Sequence, residues 1–171
     1  MIDAVIGDPV SCSQLGGSLR SHAAQLLPQR QELAERLQGS AGGRLGPALT
    51  EPTETCLALL DAVIDRLDEA GACLQRYAQD LAEVVEAVRR LEDAARAAGL
   101  ELHGLRVVEP WGVLSTELAE RRHRVLPELQ QWADRLASQL GRARGVLQHA
   151  MKDSMAALAL AADTGRAGLG R

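Results

Sequence analysis

The chain has no phenylalanine, and aromatic residues of every kind make up only 2% of its 171 residues. Sandwiches, barrels and doubly wound sheets fill their pleated surfaces with aromatic and β-branched side chains, so this scarcity argues against them. No run approaches the roughly 20 apolar residues of a membrane-spanning helix. The opening "MIDAVIGDPVS" lacks the basic start and long apolar core of a Sec signal peptide, which predicts a chain made in the cytoplasm and not exported by the general route. Cys12, Cys56 and Cys73 are odd in number and lack metal-motif spacing, so no disulfide framework is indicated. All three fall on or beside apolar helical positions, where small buried side chains are expected. Basic residues are nearly all Arg and are scattered among acids at a net charge of −4, which leaves no basic face for nucleic acid.

What is present is Ala, Leu and Val within a hydrophobic fraction of 46%, a composition that suits helices. The length is that of one domain. A first helix is predicted over about 8–38: Asp8 can cap its free N–H groups and Pro9 occupies the first helical position, where a missing N–H is harmless. Leu15, Leu19, Leu26, Leu33 and Leu37 return at spacings of four or seven and mark one face, while Gly16, Gly17 and Pro28 weaken or kink it. The Gly-rich stretch "GSAGGRLGPALT", residues 39–50, reads as a turn.

A second helix, about 51–98, carries the clearest pattern. Cys56, Leu60, Val63, Leu67, Ala70, Leu74, Tyr77, Leu81, Val84, Val88, Leu91, Ala95 and Ala98 alternate by four and three, the 3.5-residue period of left-handed coiled-coil packing. Gly99 stands where a left-handed residue would end the helix, and Leu100 can fold back on the last turn. At 1.5 Å per residue this helix is roughly 70 Å long, which predicts an elongated molecule. In the link 99–114, Leu100, Leu102, Leu105 and Val107 alternate about Gly104 and read as a two-strand turn or an extended connection. A third helix, about 115–163, presents Leu118, Val125, Leu129, Trp132, Leu136, Leu140, Ala143, Leu147, Met151 and Leu158, with a bend expected at Pro127 and a loose tail after it.

Candidate chemistry is thin. Glu120 and His123, three apart, could share a metal as in carboxylate-bridged bundles, but no second pair exists, and Glu117 and Glu120 also suit Arg121 and Arg124 as exposed partners four residues on. Asp61, Asp65, Asp68 and Glu69 read as a solvated helix face, and His149 with Asp153 as a surface pair. His22, His103, His123 and His149 are dispersed, and no nucleophile elbow or glycine loop accompanies the cysteines. No catalytic, cofactor-binding or metal residue is assigned, and no small-molecule substrate is evident. Tyr77 and Trp132 are expected at similar levels in the interhelical gap with their polar tips at its edge. Trp111, in "EPWG", either pins the link to the bundle, the favoured reading, or stands exposed as a contact.

"GDPVSCSQLGGSLRSHAAQL", the Gly-rich break, "ACLQRYAQDLAEVVEAVRRLEDAARAAGLEL" and "HGLRVVEP" together resemble the WXG100 or ESAT-6-like helical proteins of actinobacterial type VII secretion. The likeness is greater to the longer versions that form N-terminal targeting modules of secreted toxins, and it covers roughly residues 7–110. Two family motifs are not matched. Gly46 fits the glycine of the family's Trp-x-Gly turn but Arg44 stands in place of its tryptophan, while Trp111 and Gly112 are adjacent and in another loop; Tyr77 is followed four residues on by Leu81 and not by an acid. The resemblance implies a type VII secretion substrate, partner or chaperone-like adaptor.

The expected fold is all-α, a single elongated antiparallel helical hairpin or three-helix bundle with coiled-coil-like packing. Its mechanism would be helix pairing with a helical partner or with itself, as a homo- or heterodimer. The seam of Leu60, Val63, Leu67, Leu74, Tyr77, Leu81, Val84, Val88 and Leu91, with Trp132, would bury against the chain's own helices, and Asp61, Asp65, Glu83 and Glu86 would select the partner. The alternative from another class is an intracellular coiled-coil scaffold unrelated to secretion.

Overall fold

The structure, a computed structural model, describes residues 7–40, 46–112 and 115–169. Three helices and one hairpin follow in order: α1 (Pro9–Ser40), α2 (Gly46–Ala97), β1 (Glu101–His103), β2 (Arg106–Val108) and α3 (Thr116–Leu169). The fold is an all-α bundle in which α1 packs on α2 and α2 on α3. The chain forms two compact units. Among the described residues, one holds 7–11 with 77–112 and 115–146; the other holds 12–40 and 46–76 with 147–169.

The helix ends show what local chemistry determines. At the start of α1 the Asp8 carboxylate accepts from the backbone N–H of Val10 at 3.1 Å and of Ser11 at 3.0 Å, and also from the Ser11 hydroxyl. That is the N-cap expected from "GDP". At the end of α2 the Gly99 N–H donates to the Arg96 carbonyl at 3.0 Å and the Leu100 N–H to the Ala95 carbonyl at 2.8 Å, with Gly99 at φ +71°. These two bonds form a Schellman cap, and Leu100 is buried against the turn it closes.

Three boundaries differ from the sequence pattern. The stretch 39–50 is not a turn throughout, since α1 continues to Ser40 and α2 already begins at Gly46; the expected Trp-x-Gly position, Arg44, lies outside the described residues. Pro52 therefore sits inside α2 rather than at its start, on an exposed surface where water can take the freed carbonyl. Residues 164–169, read as a loose tail, extend α3.

In the first unit the core is the α2 seam. Leu81, Val84, Val88, Leu91 and Ala95 are sealed from solvent, and Tyr77 and Ala98 nearly so. The α3 positions covering them include Leu129, Ala133, Leu136 and Leu140. The pairing is antiparallel: Gly99 lies against Arg122 and Tyr77 against Arg144, so stepping back along α2 advances by the same number of residues on α3. The link is the two-strand alternative, with Leu102 opposite Val107 and His103 opposite Arg106. Gly104 at φ +65° opens the two-residue turn, which a glycine accommodates without strain. The Val107 side chain is buried and its N–H donates to Gln130 Oε1 at 2.9 Å, tying the hairpin to α3.

The second unit joins α1, the first part of α2 and the last part of α3. Its centre is a crossing where Gly16 and Gly71, both buried, meet backbone to backbone. Gly16 is thus a contact and not a break; α1 runs unbroken through it, through Gly17 and through Pro28. The face α1 buries also differs from the leucine pattern. Gly16, Ala23 and Arg30 stand on it between half-buried Leu19, Leu26, Leu33 and Leu37, and Leu15 is exposed. Across the unit, α3 meets α2 where Gly165 approaches Leu59.

Candidate interaction site

Chemistry-bearing side chains do not converge. Glu120 and His123 are both exposed, and among the described residues no group of three His, Cys, Asp or Glu side chains is close enough to hold a metal. His22 Nδ1 is 2.7 Å from the Ser18 carbonyl of its own helix. His103 meets Glu101 at 3.0 Å and His149 meets Asp153 at 3.2 Å, both in solvent, the second being the expected surface pair. The three cysteines are free. Cys73 is buried as expected, Cys12 is half-buried, and Cys56 is exposed, a correction to the sequence pattern. Cys56 keeps the four-three count, but near this end of α2 the other seam positions are only partly covered, so register does not guarantee burial.

The seam residues divide by unit. In the first, Tyr77, Leu81, Val84, Val88 and Leu91 are interior and presented to no outside partner. In the second, Leu74 is buried, while Leu60, Val63 and Leu67 are half-exposed. Tyr77 fills the α2–α3 gap with its hydroxyl 3.5 Å from Arg144 Nε, so its polar tip reaches the edge as expected. Trp132 is half-buried, but it does not share the level of Tyr77, which lies opposite a residue about three turns further along α3. Trp111 is fully exposed, so the pinning role is not observed: Val107 and Gln130 hold the link instead.

The acidic stripe of α2 is partly engaged by α1. Asp61 accepts two bonds of 2.8 Å from Arg30, and Asp68 takes Arg20 Nε at 2.9 Å while Arg20 also reaches Gln75 at 3.1 Å. These acids face α1 and are not a purely solvated face. The Arg30 bond and its charge hold the Asp61 carboxyl below the usual carboxylate range, and the Arg30 guanidinium is correspondingly raised. Hydrogen bonding from Ser11 does the same for Asp8. Both interhelical pairs are partly exposed, which makes them guides to register more than sources of stability. Glu69 pairs along its own helix with Arg66 at 2.7 Å, whereas Asp65 pairs with no described residue.

Two structural positions escaped the apolar count because they are polar. Arg122 is 93% buried, its exposure being 7%, and its guanidinium lies against Gly99 at the carbonyl end of α2, where a cation is favoured; its Nε has no hydrogen-bond partner. Ser154 fills the buried α3 position between Met151 and Leu158. Spacing alone could have located Ser154, since it continues the four-three series from Leu147 through Met151 to Leu158. Spacing marks Arg122 as well, four residues after Leu118 and three before Val125, but only the approach of Gly99 shows why a charged side chain is buried there.

Large apolar side chains do stand in solvent: Val10, Trp111 and Val146 in the first unit, and Leu15, Leu27, Met155 and Leu160 in the second. No helix among the described residues is long and apolar enough to cross a membrane. No protein-family model, curated protein or solved structure matches the chain.

Proposed function

We propose that this chain is a non-enzymatic helical interaction protein that works by helix pairing in type VII secretion, as a substrate, a partner or a chaperone-like adaptor. The observation that carries the reading is a contrast in burial. The α2 seam is sealed from Leu81 to Leu91, yet whole apolar side chains such as Trp111, Met155 and Leu160 face water on the same molecule. A fold that has already closed its core gains nothing from these residues until another surface covers them. Asp65, Glu83 and Glu86 remain exposed to choose among partners, whereas Asp61 is engaged by Arg30 and drops out of that role.

The ESAT-6-like resemblance supplies the secretion context. The deciding experiment is an immunoblot of culture filtrate from the native host, with and without the type VII motor ATPase and with a cytoplasmic enzyme as lysis control. Appearance only with the motor is expected. Retention in both strains would overturn the secretion reading and leave an intracellular scaffold that uses the same helix faces.

A further inference from the structure

The segment "MAALALAAD" of α3, residues 155–163, is apolar on both sides. Its inner positions Leu158 and Ala161 turn partly away from solvent, while Met155 is 70% and Leu160 69% exposed, with exposed Ala156 and Ala159 between them. A helix that is apolar around its whole circumference belongs in an interior, so the outer stripe calls for a cover that its own unit does not provide. At the N-terminal end of this stripe stands Lys152, exposed, the sole lysine of the sequence, and paired with no described residue.

The same unit carries a matching recess. Between α1 and α2 runs a groove of about 560 Å³ lined by the buried Ala23 and Ile64, by the exposed Ala24 and by the 53% exposed Leu27. The Arg20–Asp68 pair closes one part of the rim. Asp65, also on the rim, is the acid left without a cation. The small side chains of Ala23 and Ala24 leave room for large knobs, and the charge of Asp65 complements that of Lys152.

We propose that the chain forms a symmetric homodimer in which the α3 stripe of each protomer, led by Met155 and Leu160, lies in the α1–α2 groove of the other, with Lys152 of one paired to Asp65 of its partner. Both surfaces belong to one unit, and in the proposed two-fold arrangement each contact is made twice, which closes the assembly. The stripe is only about two turns long, at the small end of specific interfaces. This inference rests on the helix-pairing part of the proposed function and names one partner for it, a second copy.

The test uses the purified full-length chain. Sedimentation equilibrium is expected to give a monomer–dimer transition. Zero-length carbodiimide coupling of a mixture of isotope-labelled and unlabelled chains is expected to join Lys152 to Asp65 between differently labelled copies. Met155→Glu with Leu160→Glu, both on exposed positions, should weaken the dimer by at least about 100-fold while the circular-dichroism melt of the monomer stays unchanged. Asp65→Lys should weaken it by about fivefold, and adding Lys152→Asp should restore most of the loss. A chain that stays monomeric at high concentration, or a dimer indifferent to the Met155/Leu160 pair, overturns the proposal. Because only this chain is present, a negative result leaves the export immunoblot free to decide the secretion reading, and a failed export leaves the dimer standing.

Discussion

Gly16→Ala is expected to destabilise this protein even though alanine is the better helix former. A Cβ at position 16 would stand 2.7 Å from the Gly71 carbonyl oxygen, 2.9 Å from Gln75 Cγ and 3.1 Å from Leu74 Cβ. The first of these is main chain in the body of α2 and has no rotamer through which to escape. The reciprocal contact is as close, since a Cβ on Gly71 would lie 2.6 Å from the Gly16 carbonyl oxygen. Relief requires α1 and α2 to part, which loosens their whole crossing, and overfilling a packed contact costs about 1–3 kcal/mol. Alanine returns about 1 kcal/mol in helix propensity. The net loss is at most about 2 kcal/mol, a fall in Tm of up to about 8 °C for a chain of this size. Gly17 is an internal control in the same turn. Its nearest neighbour would be Gln75 Nε2 at 3.8 Å, an ordinary contact. Gly17→Ala should therefore keep the propensity gain and raise Tm by about 2–4 °C. Thermal melts followed by far-UV circular dichroism read both. Shifts of the same sign would refute the claim that the crossing is set by backbone contact.

Leu81→Ala removes a side chain with no exposure at all and should cost about 2–5 kcal/mol in urea unfolding, and a loss below about 1 kcal/mol would show that the seam can collapse around the vacancy. Stability should also fall in acid. Asp8, bonded by Ser11, and Asp61, bonded by Arg30, both hold folded-state pKa values below their ordinary ones. Their contribution is present above the ordinary carboxylate range near pH 4 and is lost as pH drops through the lowered values. Melts from neutral pH to pH 2 should show this decline, with a shallower acid slope in Asp61→Asn; a Tm that rises on acidification would contradict the assignment.

Much of the fold could be read before any tertiary contact was known, and the reason is that it depends on neighbours in sequence. The four-three series of α2 needs only the 3.5-residue period, Asp8 reaches N–H groups two and three residues away, and Gly99 with Leu100 closes onto the turn just before them. The hairpin about Gly104 belongs to the same class. What tertiary structure decided depends on residues far apart in the chain. Gly16 looked like a helix breaker until Gly71 arrived beside it, and Asp61 and Asp68 looked like a solvated face until Arg30 and Arg20 of α1 reached them. Cys56 kept the seam's count while losing its cover, Arg122 gained burial against Gly99, and Trp111 stands in solvent while Val107 and Gln130 secure the link. The candidate contact surfaces fall wholly in this second class. A sequence states which side chains are apolar, but only the packing of one helix on another decides which of them remain uncovered.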